Sequence, residues 1–321
     1  QSPRPLAKPT TSPSSSSAGL PATPNPPPAS AHHAAFAPQD WALLLTAACI
    51  WGSSFLFIDI GLDRLQPGVI VFARILFGFL ALSFMPGTRR TLPRAAWPRV
   101  AMLAVVWMAF PLTMFPIAEQ WIDSSLAGML NAAVPLFTAL VGALAFSQRP
   151  SRLLAAGLAV GFAGVVALSL PSLRSGNTEA VGVLLCVAAT VSYGVATNLT
   201  VQLASYGNLD VLWNSQRIAL VLTLPYALAG VPDSSFGWPQ LAAMVALGAL
   251  GTGVAFLAAA ALMSRVGATR GSVITYFAPI VAIVLGVLFR DETVHPLTLV
   301  GTALVLSGAW VTSRARARSV G

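Results

Sequence analysis

From Trp41 onward the chain is a succession of apolar runs separated by short breaks. A helix that crosses a bilayer needs about 20 apolar residues. Ten runs of roughly that length follow one another, at 41–62, 68–86, 97–118, 124–146, 152–171, 180–204, 209–230, 239–262, 268–289 and 295–313. The breaks carry turn and charge residues, among them LDRLQPG, MPGTRRTLPR, PSLRSGNTE, VPDSSFGWP and RDETVHP. One such run could be a buried helix of a large soluble protein. Ten in succession leave too little polar surface to cover a core: 9% of the residues are charged, against about 25% in soluble domains. The expected class is an all-α integral membrane protein with ten transmembrane helices.

The net charge of +8 would suggest nucleic acid in a soluble chain. Here the basic residues sit in the breaks, where they set topology. Thirteen of the 18 fall on the side shared by the N-terminus and three on the other, while Arg74 and Arg217 lie within runs. Both termini are therefore expected in the cytoplasm, with residues 314–321 as a basic cytoplasmic tail. Residues 1–39 are Pro/Ser/Ala-rich and are expected to be disordered. Their low acidity also fits an organelle transit peptide, against which stand only two basic residues and many prolines. Cys49 and Cys186, the only cysteines, both sit in apolar runs and offer neither a disulfide framework nor metal spacing.

The chain repeats itself. A shift of 144 places Pro135 on Pro279, Gly142 on Gly286, Gly157 on Gly301 and Gly164 on Gly308. A shift of 143 places Ala73-Arg74-Ile75 on Gln216-Arg217-Ile218, and one of 142 places Trp51-Gly52 on Tyr193-Gly194. A colinear set of this kind indicates internal duplication. The unit has five helices, an odd number, so the second copy must enter the membrane from the opposite face. The expected architecture is two inverted five-helix repeats, 41–171 and 180–313, an arrangement typical of secondary transporters.

At these positions the chain resembles the EamA-type branch of the drug/metabolite transporter superfamily. The resemblance rests on CIWGSSFLFI, FARILFGFLAL, AAVPLFTALVGALAF, YFAPIVAIVLGVLFRDE and GTALVLSGAW, and covers 41–313. It implies ten helices around a central cavity lined mainly by helices one, three, four, six, eight and nine. It implies export of amino acids and other small metabolites, or carriage of sugar phosphates or nucleotide sugars. The family often has an acidic residue after helix four. This chain has Gln148 there, and its second copy keeps Glu292.

Within the runs, a few residues are candidates for the work. Pro135 and Pro279 each remove a backbone hydrogen bond, and are either hinges or static kinks. Trp51, Ser54, Trp107, Asn131, Tyr193, Asn198 and Tyr276 place amide, hydroxyl and indole groups in mid-membrane, where they must find partners. They read as a substrate-binding cavity or, one by one, as glue between helices. Asp59 and Arg74 fall in the outer third of adjacent helices, as an ion-paired outer gate or as interfacial groups. Glu119 reads as an interfacial anchor beside Gln120 and Trp121. With no acidic residue near the centre of a helix, a proton relay lacks a candidate and facilitated diffusion gains weight.

Enzyme signatures are absent: the chain has no HExxH or GxSxG, and its three histidines lie outside the runs or, for His295, at the very edge of one. The glycines of GALGTG lie inside a run with no preceding strand, so they read as helix packing rather than a nucleotide loop. The expected function is transport of a small metabolite, amino acids first, including aromatic or other amphipathic ones, by alternating access. Carriers of phosphorylated sugars or nucleotide sugars, or a non-transporting membrane scaffold, are the alternatives. Phosphorylated cargo would want cavity-facing Lys or Arg. No cofactor and no metal are expected. The expected partners are a small-molecule substrate and the lipid bilayer, without nucleic acid and as a monomer. The expected location is the bacterial inner membrane.

Overall fold

The computed structural model describes residues 36–317, apart from 86, 88, 146–150, 267–270 and 272. The Pro/Ser/Ala-rich segment through residue 35 and Gln148 lie outside the described residues. Among the described residues every regular element is helical, as membrane burial requires of a chain that does not close a barrel. A helix occupies each of the ten apolar runs. The first five are α1 (Pro38–Leu62), α2 (Pro67–Ser83), α3 (Arg94–Ala118), α4 (Ser124–Leu144) and α5 (Arg152–Ser175). The second five are α6 (Asn177–Leu203), α7 (Asn208–Gly230), α8 (Trp238–Val266), α9 (Ile274–Arg290) and α10 (Pro296–Ala317).

Seven of these, all but α2, α7 and α9, are long and apolar enough to cross a membrane. Helices α2 and α9 have 17 residues each. At 1.5 Å per residue they reach only about 25 Å, short of a hydrocarbon core of about 30 Å.

Glycines decide how closely the helices pack. Helices α5 and α10 lie antiparallel. Gly157 faces Thr312, Gly161 faces Gly308, and Gly164 faces Gly301 and Val305, with backbone against backbone. Lipid offers no hydrophobic drive between helices, so close approach of small residues has to supply dispersion contacts instead. Helix α1 runs parallel to α9: Trp41 meets Phe277 near one end, Gly52 seats against Ala278 and Val281, and Asp59 meets Arg290 near the other. Gly194 of α6 seats in the same way against Phe137 and Thr138 of α4.

Three helices are irregular. Helix α4 breaks into turns at 132–133, so Pro135 stands at the start of its second half rather than inside a continuous helix. Pro279 stays within α9. Helices α3 and α8 contain π-helical stretches, Ala104–Ala109 and Ala246–Val254. Stretches of this kind are rare and often sit at functional sites. Each receives a bond from a neighbour: the Ser192 hydroxyl donates to the Val106 carbonyl (2.7 Å), and the Trp51 indole N–H donates to the Gly251 carbonyl (3.0 Å).

Polar contacts tie the bundle at both ends. At one end Asp40 pairs with Arg265, and the backbone N–H of Arg90 donates to Asp210 (2.9 Å). The other end gathers the loops after α1, α3, α7 and α9, and is acidic. There the Ser235 N–H donates to the Arg64 carbonyl (2.8 Å) and Arg290 reaches α1.

Candidate functional site

Four of the seven residues expected to line a cavity come together. Trp51 and Trp107 both meet Phe256 edge to face, with ring centroids 5.5 and 5.7 Å away. Tyr193 stacks on Phe115 at 6.2 Å, and Phe115 meets Phe55 at 5.4 Å. Helices α1, α3, α6 and α8 thus share an aromatic wall beside the two π-helical stretches. Ser54 is buried on the same stretch of α1, where its hydroxyl donates to the Ile50 carbonyl of its own helix.

The other three residues lie elsewhere. The Asn198 amide donates to the carbonyls of Thr138 (3.0 Å) and Gly194 (2.9 Å), which joins α6 to α4. Tyr276 packs with Phe137 and Val305, and lines a cavity of about 380 Å³ with Trp310 between α9 and α10. Asn131 ends the first half of α4, and its buried side-chain oxygen has no hydrogen-bond partner. Phe55, Phe115 and Phe256 escaped the sequence reading because an apolar ring in an apolar run carries no mark of where it points.

The expected Asp59–Arg74 pair does not form. Asp59 is bound instead by Arg290, which also donates to Asp63 at 2.8 Å. Asp59 lies in the last turn of α1 and Asp63 just beyond its end, and the parallel run of α1 along α9 brings them to Arg290. Glu292, two residues on, crosses to the start of α4. Its carboxylate accepts from the Ser124 N–H (2.9 Å), the Ser124 hydroxyl (2.7 Å) and the Ser125 N–H (3.0 Å). It thereby satisfies two of the four free N–H groups at the helix start, and sits where a helix N-terminus favours negative charge.

These residues frame a cavity of about 500 Å³ at the acidic end, lined by Asp59, Asp63, Glu119, Asp123, Arg290 and Glu292. Glu119 is no interfacial anchor. It is 7% exposed, and neither carboxylate oxygen has a hydrogen-bond partner. It lies one residue beyond the α3 span. Burial pushes its carboxyl well above the usual carboxylate range; Asp59 and Glu292 push the same way, and Arg74 pulls it down. Asp123 is raised as well, first by burial and then by Glu292 and Glu179. Among the described residues no group of His, Cys, Asp and Glu could hold a metal ion.

The EamA-like transporter family model matches residues 41–170 and 180–314. A protein of Streptantibioticus cattleyicolor named "Probable terminal-alkyne amino-acid exporter" is 29% identical over 282 residues, 85% of this chain and 93% of its own length. An Escherichia coli K12 protein named "Probable amino-acid metabolite efflux pump" is 22% identical over 295 residues, covering 85% of this chain and 94% of its own. A solved crystal structure shares the fold with a TM-score of 0.61 at 19% identity, over 88% of this chain and 99% of that one. Two consecutive family matches that together take in most of the sequence settle the point: the chain is an integral membrane transporter of the EamA-like family, in the drug/metabolite transporter superfamily.

Proposed function

We propose that this transporter exports amino acids or closely related metabolites by alternating access between two inverted five-helix units, 41–171 and 180–313. The observation that carries the reading is the aromatic wall of Trp51, Trp107, Tyr193 and Phe256, drawn from α1, α3, α6 and α8 across both units. Aromatic faces with few charges suit a small amphipathic solute. Two relatives of nearly equal length carry amino-acid export in their names, which supports the same class of cargo.

The packing supports the inverted relation. A shift of 144 carries Gly164 onto Gly308 and Gly161 onto Val305. Gly164 abuts the Val305 backbone while Gly308 abuts the Gly161 backbone. Exchange of the two halves therefore leaves the contact unchanged, as a two-fold axis requires. The α1–α9 contact at Gly52 and the α6–α4 contact at Gly194 answer each other in the same way. On this reading all ten helices span, α2 and α9 included.

Pro135 and Pro279 lie beside those two glycine contacts and serve as the hinges about which α4 and α9 bend. The acidic end faces outward, and Asp59–Arg290 closes it in place of an Asp59–Arg74 gate. Both termini are cytoplasmic, in a bacterial inner membrane. Relatives include an Escherichia coli inner membrane transporter 27% identical to this chain over 269 residues, which supports that location. No central carboxylate lines the aromatic wall, so flux there needs no proton.

Purified protein in proteoliposomes tests the function against an amino-acid panel, with and without a proton gradient. Accelerated flux of at least one amino acid is expected. Flux of none of them would remove the reading. A tag after Gly321 should be reached by protease only from the cytoplasmic side; access from outside intact cells would overturn the topology.

A further inference from the structure

Five carboxylates and one guanidinium line the cavity of about 500 Å³ at the acidic end: Asp59, Asp63, Glu119, Asp123 and Glu292 against Arg290. Most of that charge is engaged. Arg290 holds Asp59 and Asp63, and Glu292 is bound by Ser124 and Ser125. Asp123 is exposed to water. Glu119 differs from all of them, being buried with neither oxygen hydrogen-bonded. Buried polar groups nearly always find a partner, because an unmade hydrogen bond forfeits the solvation the group gave up. A buried carboxylate is costlier still unless a cation meets it. The neutral acid is therefore the stable form of the side chain alone, in keeping with the upward push of burial, Asp59 and Glu292. Yet a proton serves one oxygen and leaves the other without a donor. What this wall lacks is a hydrogen-bond donor that carries positive charge.

We propose that Glu119 anchors a primary-ammonium site in the acidic cavity, binding the ammonium as a carboxylate and releasing its own proton through the cavity in exchange. No bond to carbon is made or broken: the carboxyl O–H gives its proton to water, and the carboxylate left behind accepts from the ammonium N–H groups. The inference goes beyond the cargo reading and does not depend on it. An ammonium brings three donors on one charge, enough for both oxygens of Glu119. A quaternary cation brings the charge and no donor. A metal ion would need several converging ligands, and among the described residues no such group exists. The other four carboxylates outweigh Arg290, so the cavity draws cations toward Glu119. Its size is ample for a small amine. The charged and titratable groups that face Glu119 are Asp59 from α1, Arg74 from α2, Cys186 from α6 and Glu292 beyond α9. The proton leaves by the cavity that admits the ammonium, so the exchange carries no proton across the membrane.

Calorimetry on the full-length protein in detergent tests the site with three probes: butylammonium, butyltrimethylammonium, which has no N–H, and butyrate, which has no positive charge. Wild type should bind butylammonium roughly 10- to 100-fold more tightly than butyltrimethylammonium, the effect of one charge-assisted hydrogen bond. Butyrate should not bind. Titrations in acidic buffers of different ionisation enthalpy should count about one proton released per butylammonium. As pH rises through the titration of Glu119, affinity should climb and the proton count should fall toward zero. Glu119→Gln mimics the neutral acid; it should lose the preference for butylammonium and release no proton. Glu119→Asp keeps a carboxyl and should keep the proton release at weaker affinity. Equal affinity for both cations, or proton release that survives Glu119→Gln, would overturn the site and reduce the acidic end to a general attractor of cations. Butylammonium that fails to bind, or binds in acid without releasing a proton, would overturn the exchange. Amino-acid flux in proteoliposomes is measured separately, and none of these results alters it.

Discussion

Glu292 reaches from the end of α9 to the start of α4, where its Oε1 takes both the backbone N–H and the hydroxyl of Ser124. One carboxylate thus joins the second half of the chain to the first at the acidic end. The space for it is made by Gly286, where a Cβ would collide with the same carboxylate. Glu292→Ala would leave the α4 N-terminus uncapped, at a cost of about 1–3 kcal/mol. The expected result is a lower melting temperature. A cysteine placed at Trp121, at the cavity rim, should also label faster with a membrane-impermeant maleimide. Unchanged labelling and melting would deny the clamp.

The Asp59–Arg290 pair makes a second, separable prediction. Both side chains are about a quarter exposed, so solvent screening limits the pair to about 1 kcal/mol. Arg290→Ala should shift the balance toward the open acidic end by about fivefold. The charge-exchanged double variant, Asp59→Arg with Arg290→Asp, should restore part of the wild-type flux in proteoliposomes. No recovery would count against a gate at this pair.

The aromatic wall is testable through one hydrogen bond. Trp51→Phe keeps an aromatic face, though a smaller one, and loses the indole N–H that reaches the Gly251 carbonyl in the α8 π-helical stretch. A loss of about 1 kcal/mol is expected, with reduced flux at normal expression. Trp51→Ala should reduce flux further. If both variants transport like wild type, the cavity lies elsewhere.

Close packing of α5 on α10 predicts a position-specific stability effect. A Cβ at Gly308 would meet the backbone of Gly161, which cannot rotate away. Gly308→Ala should cost about 1–3 kcal/mol, and Gly164→Ala should match it through the symmetric contact. Gly176→Ala, with nothing near its Cβ, should be neutral. Thermal unfolding of the three variants would separate them.

Glu119 predicts a pH dependence. Its folded carboxyl titrates above the usual range, so the folded state holds a proton that the unfolded chain has lost. Stability contributed by this group is present at low pH and is lost as pH rises from the ordinary Glu value through the raised one. Wild type should therefore lose melting temperature relative to Glu119→Gln across that window. The two should run parallel if Glu119 is not buried as described.

How much of this was legible in the residues differs from one to the next. The apolar runs, the turn chemistry between them and the positions of Pro and Gly are local properties, and they placed every helix. The duplication was legible because glycine and proline are irreplaceable where backbones touch or bend. Tyr276 and Asn198 were misleading. A polar group in an apolar run announces that it needs a partner, but not whether that partner is a solute or a neighbouring carbonyl. Glu119 was misread for the complementary reason, since its place at the end of a run says nothing about what covers it.

By itself, then, the sequence determined class and helix order, because both follow from composition and spacing along one chain. Which charges meet was decided only by the tertiary structure. Arg290 lies 231 residues from Asp59, and only the parallel run of α1 along α9 brings it there ahead of Arg74. The same packing buries Glu119 and leaves neither of its carboxylate oxygens with a hydrogen-bond partner.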